Sequence, residues 1–311
     1  MNTYYPLLEK RGLVFGGTVM AKIFHASFFL RVLIPYFALF PEDLPNVLVS
    51  LAYNVNEWKT FLKVYRHMIG ELIGDSGAWS SDQGTSDITI DKVIILFKRY
   101  GHLMDRYFSF DVNFSNFGFE DNVAMQLKME RSGLKPVPVI HNFFTKEIEY
   151  YIRSGKYDWV ALGSSQSTNF DDFRYAVDKI KRANESIKIH WFGGSKESWM
   201  KEVPVASCDT TSWAKTGSNG NINYFNEQTG KNEVIYVGGR ERNLRESENH
   251  FVTYKYRGEL EEYLYKNFKF TYRDLCGYDA KLNMQVVNTR FFVEKEKRIN
   301  DERRRRGIPL E

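Results

Sequence analysis

Three aspartates in this 311-residue chain each end a short apolar run. Asp75 ends the run at 71–75, and Asp111 ends the run at 107–111. Asp209 ends the run at 204–209. Two carboxylates across one cleft suit the breaking of a glycosidic bond, because one attacks or stabilises the anomeric carbon while the other moves a proton to or from the leaving group. If the leaving group is a nucleobase, a third carboxylate can accept hydrogen bonds from its N–H groups, which selects guanine-like edges.

Other polar and glycine residues follow apolar runs in the same way. Each has a structural alternative: an Asp after a strand often caps the next helix, a buried His often makes only a structural hydrogen bond, and a Gly often makes a tight turn. The residues that join the three aspartates as candidates for the cleft are Ser76, His141, Gly163, Ser164 and Gly193.

A regular alternation of elements would bring these residues together. Near-continuous apolar strands separated by helices indicate a parallel sheet that is covered on both sides, with the residues at its carboxyl ends facing one mouth. An eighth strand at 233–237 favours a closed (β/α)8 barrel of the TIM type, and an open doubly wound sheet is the alternative. Seven earlier strands are predicted at 46–53, 71–75, 107–111, 137–141, 159–163, 187–192 and 204–209, with helices at 56–68, 89–100, 119–133, 145–154 and 170–184.

The pattern weakens at both ends of the chain. Residues 1–45 are predicted to be an N-terminal extension packed on the barrel, with a leading strand or hairpin and an apolar helix. The barrel is expected over 46–292, with a polar loop or hairpin inserted after the seventh strand at 214–232. Residues 293–311 are expected to form a charged, basic C-terminal helix that ends in four arginines.

Composition narrows the class of protein. The chain is 43% hydrophobic and 26% charged, which excludes disorder, collagen-like repeats and a coiled coil as the main architecture. A net charge of +4 permits a nucleic-acid partner without requiring one. Two isolated cysteines exclude a disulfide framework or a multi-cysteine zinc site. The most apolar run, 26–40, is interrupted and too short for a bilayer, so we expect a cytoplasmic protein with no membrane contact.

Five short motifs occur in the order found in the tRNA-guanine transglycosylase superfamily, and the sequence most resembles its DpdA-type branch. That branch is associated with placing 7-deazaguanine bases in DNA, including phage DNA. The resemblance covers roughly residues 46–213. The motifs are Asp-Ser-Gly-Ala-Trp-Ser at 75–80, Phe-Asp at 110–111, Val-Ala-Leu-Gly-Ser at 160–164, Ile-His-Trp-Phe-Gly at 189–193 and Ala-Ser-Cys-Asp-Thr-Thr-Ser-Trp at 206–213.

The resemblance implies a (β/α)8 barrel that exchanges a base with retention at C1′, without a metal or other cofactor. Asp209 would be the nucleophile that forms a covalent glycosyl intermediate, and Asp75 would be the general acid and base. Asp111 would recognise the edge of the base. The expected base-binding residues are then Asp111, Ser76, Gly163, Ser164, Gly193 and His141.

The sequence also departs from the tRNA enzymes, because it lacks their zinc subdomain of three Cys and one His. Ala78-Trp79 replaces the usual Gly-Phe and would reshape the floor of the pocket. We therefore expect DNA as the polymer, a flipped guanosine as the target and preQ0 or a related free base as the second substrate. Localisation would be the host cytoplasm if the gene is of phage origin. Residues expected to touch the nucleic acid are Lys215, Arg303, Arg304, Arg305 and Arg306.

Several alternatives stay open at this point. The polymer could be tRNA, bound without the zinc subdomain. The chain could instead be a nucleoside or N-glycoside hydrolase on the same barrel, or a non-catalytic partner subunit. The sequence leaves open which 7-deazaguanine is used, and whether the protein works as an oligomer or with an accessory protein.

Overall fold

Eight parallel strands form one sheet in the computed structural model, which describes residues 20–53, 59–60, 62–115, 117–163, 169–238 and 249–308. The order across the sheet is β4-β3-β2-β1-β8-β7-β6-β5. The strands are β1 (Lys22–Ala26), β2 (Asn46–Ser50), β3 (Leu72–Asp75), β4 (Arg106–Tyr107), β5 (Val139–Ile140), β6 (Trp159–Leu162), β7 (Lys188–Trp191) and β8 (Ser207–Thr210).

The two outer strands, β4 and β5, meet and close the sheet. Phe108 and Val137 form a parallel bridge between the ends of these strands. The N–H of Ser109 donates to the Val137 carbonyl at 3.0 Å, and the N–H of Val137 donates to the Tyr107 carbonyl at 2.8 Å. The fold is therefore the (β/α)8 barrel that the alternation of elements predicts.

Helices follow the strands and cover the outside of the barrel. Thr89 and Asn169 cap two of them, accepting the N–H groups of Lys92 and Asp172 at 3.4 and 2.9 Å. The helices are α1 (Leu30–Leu39), α2 (Ala78–Asp82), α3 (Ile90–Tyr100), α4 (Phe119–Arg131), α5 (Glu147–Arg153), α6 (Phe170–Ala183), α7 (Glu197–Met200), α8 (Ser212–Ser218), α9 (Arg257–Phe268) and α10 (Ala280–Arg305). None of the helices in the described ranges is long and apolar enough to cross a membrane.

The buried apolar side chains form two groups that alternate along the strands. Phe24, Leu48 and Ile73 belong to a small cluster that fills the inside of the barrel. Their neighbours Ile23 and Val47 belong to the larger cluster between the sheet and the helices. This period of two follows from the opposite directions of successive side chains in a strand, and both faces of the sheet are thereby buried.

The eighth barrel strand is not at 233–237, as the sequence analysis expects, but at β1. This strand lies between β2 and β8, so the sheet begins well before residue 46. Residues 233–237 fall mostly in β10 (Lys231–Tyr236), which pairs antiparallel with β9 (Asn221–Asn226) in a separate hairpin. A tight turn joins these two strands, and such a turn permits only antiparallel pairing. The polar segment at 214–232 accordingly supplies part of α8, all of β9 and the turn.

The C-terminal helix is longer than the basic tail predicted at 293–311, because α10 begins at Ala280. It packs on α8, β9, α1 and β1. Its last turns lie at the amino-terminal end of the strands, since Asn300 exchanges two hydrogen bonds with the backbone of Ala21, just before β1. The end of α10 is therefore at the face of the barrel opposite the carboxyl ends of the strands.

Candidate active site

A cavity of about 550 Å³ lies at the carboxyl ends of the barrel strands. The cavity is lined by polar residues predicted from the sequence and by aromatic side chains. Ser164, which the sequence analysis expects to bind the base, lies outside the described residues. The other seven candidates for the cleft all line the cavity: Asp75, Ser76, Asp111, His141, Gly163, Gly193 and Asp209.

Asp75 ends β3 and is partly buried in the cavity wall. Its pKa is raised to about 6, chiefly because burial penalises the charged carboxylate. Hydrogen bonds from Ser50 and from the backbone of Gly77 lower this pKa, while the charges of Asp209 and Asp111 raise it. A carboxyl group with a pKa near 6 can both give and take a proton at neutral pH, as a general acid and base must.

Asp111 is buried and held by two side chains. Ser109 Oγ donates to its Oδ1 at 3.0 Å, and Nε2 of His141 lies 2.9 Å from its Oδ2. Burial lowers the pKa of His141, but the hydrogen bond and the charge of Asp111 outweigh burial, and the charge of Glu147 adds to them, so the net pKa is raised. The pair therefore favours a charged imidazolium that orients the carboxylate.

Glu147, which the sequence analysis did not single out, holds the backbone on the other side of His141. Its Oε2 accepts the N–H groups of His141 and Asn142 at 2.7 and 3.1 Å. Glu147 begins α5 and is itself buried. Acidic residues at the start of a helix are common for electrostatic reasons, so nothing in the sequence distinguishes this one.

Asp209 lies on β8 and is buried at the cavity. The N–H of Gly193 donates to its Oδ1 at 2.8 Å. Nε2 of His190 lies 3.4 Å from the same oxygen. The N–H of Gly193 and the ring of His190 therefore both lie next to Oδ1 of Asp209.

Two glycines of the cleft have specific structural requirements. Gly193 adopts a φ of +63°, which residues with a side chain rarely adopt, and this conformation accompanies the hydrogen bond from its N–H to Asp209. A Cβ on Gly163 would lie 2.9 Å from Nδ1 of His141. Gly163 thus allows the imidazole to lie close against the backbone after β6.

Ser76 has a structural partner within the protein. It is buried, and its hydroxyl donates to the carbonyl of Ser109 at 2.7 Å. This bond joins the turn after β3, directly next to Asp75, to the loop after β4, which carries Asp111. The described contacts thus give Ser76 a role in holding these two loops together.

Of the aromatic residues that line the mouth, the sequence analysis predicts Trp79, at the floor of the pocket, and Trp79 does line the cavity. Trp79 is 56% exposed and meets Phe114 edge to face, with ring centroids 5.0 Å apart. Phe114 in turn meets His141 edge to face at 5.2 Å. Phe108 and Phe192 line the cavity more deeply. The sequence is rich in aromatic residues throughout, so composition alone does not select the three phenylalanines.

The expected nucleic-acid contact at Arg303 is wrong. The side chain is fully buried and donates to the carbonyls of Met200, Val203 and Val205 at 2.6, 2.7 and 3.0 Å. These carbonyls precede β8, at the end of the barrel opposite the cavity. Arginine matches three convergent carbonyls because its guanidinium presents several donors in a fixed plane.

Arg304, Arg305 and Arg306 are exposed at the same opposite end of the barrel. Arg304 pairs with Asp301 at 2.5 Å, and the other two pair with Glu302 at 3.1 and 2.7 Å. Lys215 differs from this group because it is exposed on α8, directly after the carboxyl end of β8. Of the five expected contacts, Lys215 alone is on the cavity side.

The described part of the chain contains no group of three or more His, Cys, Asp or Glu side chains arranged to hold a metal ion. Cys208 is buried between Asp209 and Ser207 in β8, and burial raises the pKa of its thiol far above the usual range. This thiol is therefore protonated and unreactive at neutral pH.

Comparison with known proteins gives only distant likenesses. No family model matches the sequence, and no curated protein matches it. A solved structure from Coccidioides immitis, assigned as a fructose-1,6-biphosphate aldolase, is 11% identical over 92% of this chain and 90% of its own, with a TM-score of 0.49.

Two further solved structures are similar to smaller parts of the chain. An enolase protein from environmental sequencing of the Sargasso Sea is 9% identical over 62% of this chain and 54% of its own, with a TM-score of 0.39. A mandelate racemase/muconate lactonizing protein from Herpetosiphon aurantiacus is 12% identical over 70% of this chain and 62% of its own, with a TM-score of 0.40. Likenesses at this level carry no argument about activity.

Proposed function

We propose that this protein is an enzyme that exchanges guanine in DNA for a free 7-deazaguanine base, such as preQ0, through a covalent intermediate on Asp209. The proposal rests on one observation: two carboxyl groups in the same cavity have different environments. Asp75 has a pKa raised to about 6 by burial, whereas Asp209 is oriented by the N–H of Gly193. Unequal environments of two carboxyl groups are the usual basis for separate acid and nucleophile roles.

The first half-reaction expels guanine. A carboxylate oxygen of Asp209 forms a bond to C1′ of the flipped nucleotide while the bond from C1′ to N9 breaks. The electron pair of the broken bond goes to the base, which takes a proton from Asp75. The product is a glycosyl ester on Asp209, free guanine and an ionised Asp75.

The second half-reaction reverses these steps with a new base. N9 of the incoming base gives its proton to the Asp75 carboxylate and attacks C1′. The ester bond to Asp209 breaks, and its electron pair restores the Asp209 carboxylate. Two displacements at C1′ retain the configuration, and neither step requires a redox partner.

Asp111 is the group that recognises the base in this proposal. Ser109 and His141 each occupy one lone pair of its two oxygens, so lone pairs remain for the N–H groups of a guanine edge. His141 and Ser109 fix the carboxylate before the base arrives, which lowers the ordering cost of binding. The exposed Trp79 and its neighbour Phe114 offer rings on which a base or its neighbour can stack.

DNA is the favoured polymer because the motifs at 75–80, 110–111, 160–164, 189–193 and 206–213 most resemble the branch that is associated with DNA. Lys215 is exposed on α8, which begins just after the carboxyl end of β8. We therefore assign phosphate contacts to this side of the barrel and none to the end of α10. This assignment makes binding salt-dependent, because each neutralised phosphate releases counterions.

The test measures incorporation of labelled guanine into duplex DNA, single-stranded DNA and unmodified tRNA. Label in DNA supports the proposal, and label in tRNA alone reassigns the polymer. Release of free base from nucleosides without incorporation supports the hydrolase alternative and overturns the exchange reaction.

Matched variants identify the groups that react. Asp209→Asn and Asp75→Asn should both abolish exchange, and trapping with a labelled polymer should give a covalent adduct in the wild type and none in Asp209→Asn. Asp87→Asn is the control, because Asp87 is an exposed aspartate that pairs with Lys92 outside the cavity. Exchange by Asp209→Asn at the wild-type rate would exclude the nucleophile assignment.

A further inference from the structure

His190 is a fully buried histidine that takes no part in the proposed bond changes at C1′. It lies on β7 with its ring inside the barrel, next to the rings of Phe24, Phe108 and Phe192. An imidazole among apolar rings loses its hydration, and this cost is tolerated where the ring nitrogens meet specific polar partners. Nδ1 and Nε2 of His190 therefore each require a polar partner inside the barrel.

The strand register places both nitrogens of His190 against β8. His190 pairs with Ser207 across the two strands, and Asp209 follows two residues later on the same face of β8. Nδ1 of His190 lies 2.8 Å from Ser207 Oγ. Nε2 lies 3.4 Å from Oδ1 of Asp209 in a geometry that falls short of a hydrogen bond, and this buried nitrogen has no hydrogen-bond partner among the described residues.

The chemistry of these partners selects one protonation state. Burial lowers the pKa of His190 more than the neighbouring Asp209 raises it, so the ring is neutral at neutral pH. A neutral imidazole carries one N–H, and a carboxylate can only accept a hydrogen bond. The proton is therefore on Nε2, facing Asp209, and the Ser207 hydroxyl donates to Nδ1.

We infer that His190 is a positioning residue: its unpartnered Nε2–H closes to a hydrogen bond on Oδ1 of Asp209 in the reacting complex, joins the N–H of Gly193 there, and leaves Oδ2 as the oxygen that bonds to C1′. The inference rests on the proposed function. In the glycosyl ester, Oδ1 is the carbonyl oxygen and keeps the same two donors. When the incoming base breaks the ester bond, negative charge returns to a carboxylate that both donors already face.

Three substitutions test this role through activity. His190→Phe keeps an aromatic ring among the three phenylalanines and removes the donor. His190→Gln keeps a donor, because the amide nitrogen of glutamine reaches about as far as Nε2. Ser207→Ala removes the hydroxyl that fixes the tautomer. The readouts are kcat and KM for exchange of labelled guanine, with thermal unfolding of each variant as the check on folding.

We expect His190→Phe to lower kcat roughly 10²-fold with KM for the polymer unchanged, as for the loss of a preorganised donor. His190→Gln should recover about tenfold of that loss, and Ser207→Ala should lie between them. A His190→Phe variant with kcat within twofold of the wild type overturns the inference. So does an equal loss in His190→Phe and His190→Gln, because that result would assign the residue to packing alone.

A spectroscopic measurement separates this inference from the proposed function. The ¹⁵N chemical shifts of His190 in the wild-type protein should show the neutral tautomer with the proton on Nε2. In Ser207→Ala, the shifts should move toward a mixture of the two tautomers. A proton on Nδ1, or an imidazolium at pH 7, overturns the inference even if exchange is observed. The expected tautomer supports the contact even if no exchange is found with any polymer.

Discussion

His141 and Asp111 form a buried pair, with Nε2 of the imidazole 2.9 Å from Oδ2 of the carboxylate. The other ring nitrogen, Nδ1, faces Gly163, where a Cβ would lie 2.9 Å away. The glycine, the imidazole and the carboxylate come from the ends of three neighbouring strands. The position of the Asp111 carboxylate therefore depends on the absence of a side chain at Gly163, two strands away.

Gly163→Ala should weaken base binding without unfolding the protein. The added methyl group displaces His141, which then no longer orients Asp111. We expect KM for the free base to rise about tenfold, equivalent to the loss of one charge-assisted hydrogen bond. The matched control is Gly258→Ala, because Gly258 has open space around it. An unchanged KM in Gly163→Ala would show that the pair does not bind the base.

The pKa of Asp75, about 6, predicts opposite pH dependence of the two half-reactions. Expulsion of guanine needs the protonated carboxyl group, so its rate should fall as pH rises above about 6. Attack by the incoming base needs the carboxylate, so its rate should rise with pH through the same value. Single-turnover formation and decay of the covalent intermediate between pH 5 and 8 measure the two rates separately. Parallel pH profiles would contradict the assignment of both roles to Asp75.

Asp75→Asn should abolish exchange and stabilise the fold at pH 8. The folded-state pKa is raised from 3.8 to about 6, so folding is favoured while the group is protonated, and this contribution is lost as pH rises through 6. Asparagine stays neutral at every pH. We expect a gain on the order of 2 kcal/mol in the free energy of unfolding at pH 8, and little change at pH 4. An equal gain in the free energy of unfolding at pH 4 and pH 8 would show that the gain does not come from the raised pKa of Asp75.

Glu296→Gln should have a similar effect at the other end of the barrel, without loss of activity. Glu296 accepts the N–H of Ile23 at 2.7 Å and the amide of Asn46 at 3.1 Å, and burial raises its pKa to about 7. Its stabilising contribution is present below pH 4.5 and is lost as pH rises through 7. Thermal unfolding at pH 5 and pH 8 should show stabilisation by Glu296→Gln at pH 8 only. Glu185→Gln, at an exposed position, is the control and should change neither value.

Substitution of Arg303 should lower stability, whereas substitution of Lys215 should weaken DNA binding and leave stability unchanged. Arg303→Met should lower the free energy of unfolding by roughly 3 to 5 kcal/mol, because three buried carbonyls lose their donor. Arg305→Met is the control and should have little effect. Lys215→Gln should leave stability unchanged, weaken DNA binding and lower the salt dependence by about one counterion.

The combined variant Arg304→Gln/Arg305→Gln/Arg306→Gln gives the complementary control for DNA binding. These side chains are at the end of the barrel opposite the cavity and pair with acidic neighbours on α10. The variant should bind DNA as the wild type does. A larger loss of binding in this variant than in Lys215→Gln would show that DNA lies on the end of α10.

The fold followed from the sequence because parallel strands that are buried on both faces must be apolar along their length. Six strands and the helices α3, α4, α5 and α6 occur where the periodicity predicts them, whereas β4 shares only Tyr107 with the strand predicted at 107–111. The pattern does not predict β1 as a barrel strand, because its sequence, Lys-Ile-Phe-His-Ala, stands apart from the repeat. The pattern predicts the hairpin strand β10 as the eighth strand instead, since a short strand does not encode its partner.

The sequence by itself determined which residues stand at the strand ends, because a strand and the turn after it are local in the chain. That Asp75, Asp111 and Asp209 line one cavity is settled by the closure of the barrel, which brings distant strands together. Tertiary structure alone decided the partners: His141 for Asp111, His190 beside Asp209, and three carbonyls for Arg303. These contacts join residues that are 30, 19 and about 100 positions apart, and only burial makes such polar pairings obligatory.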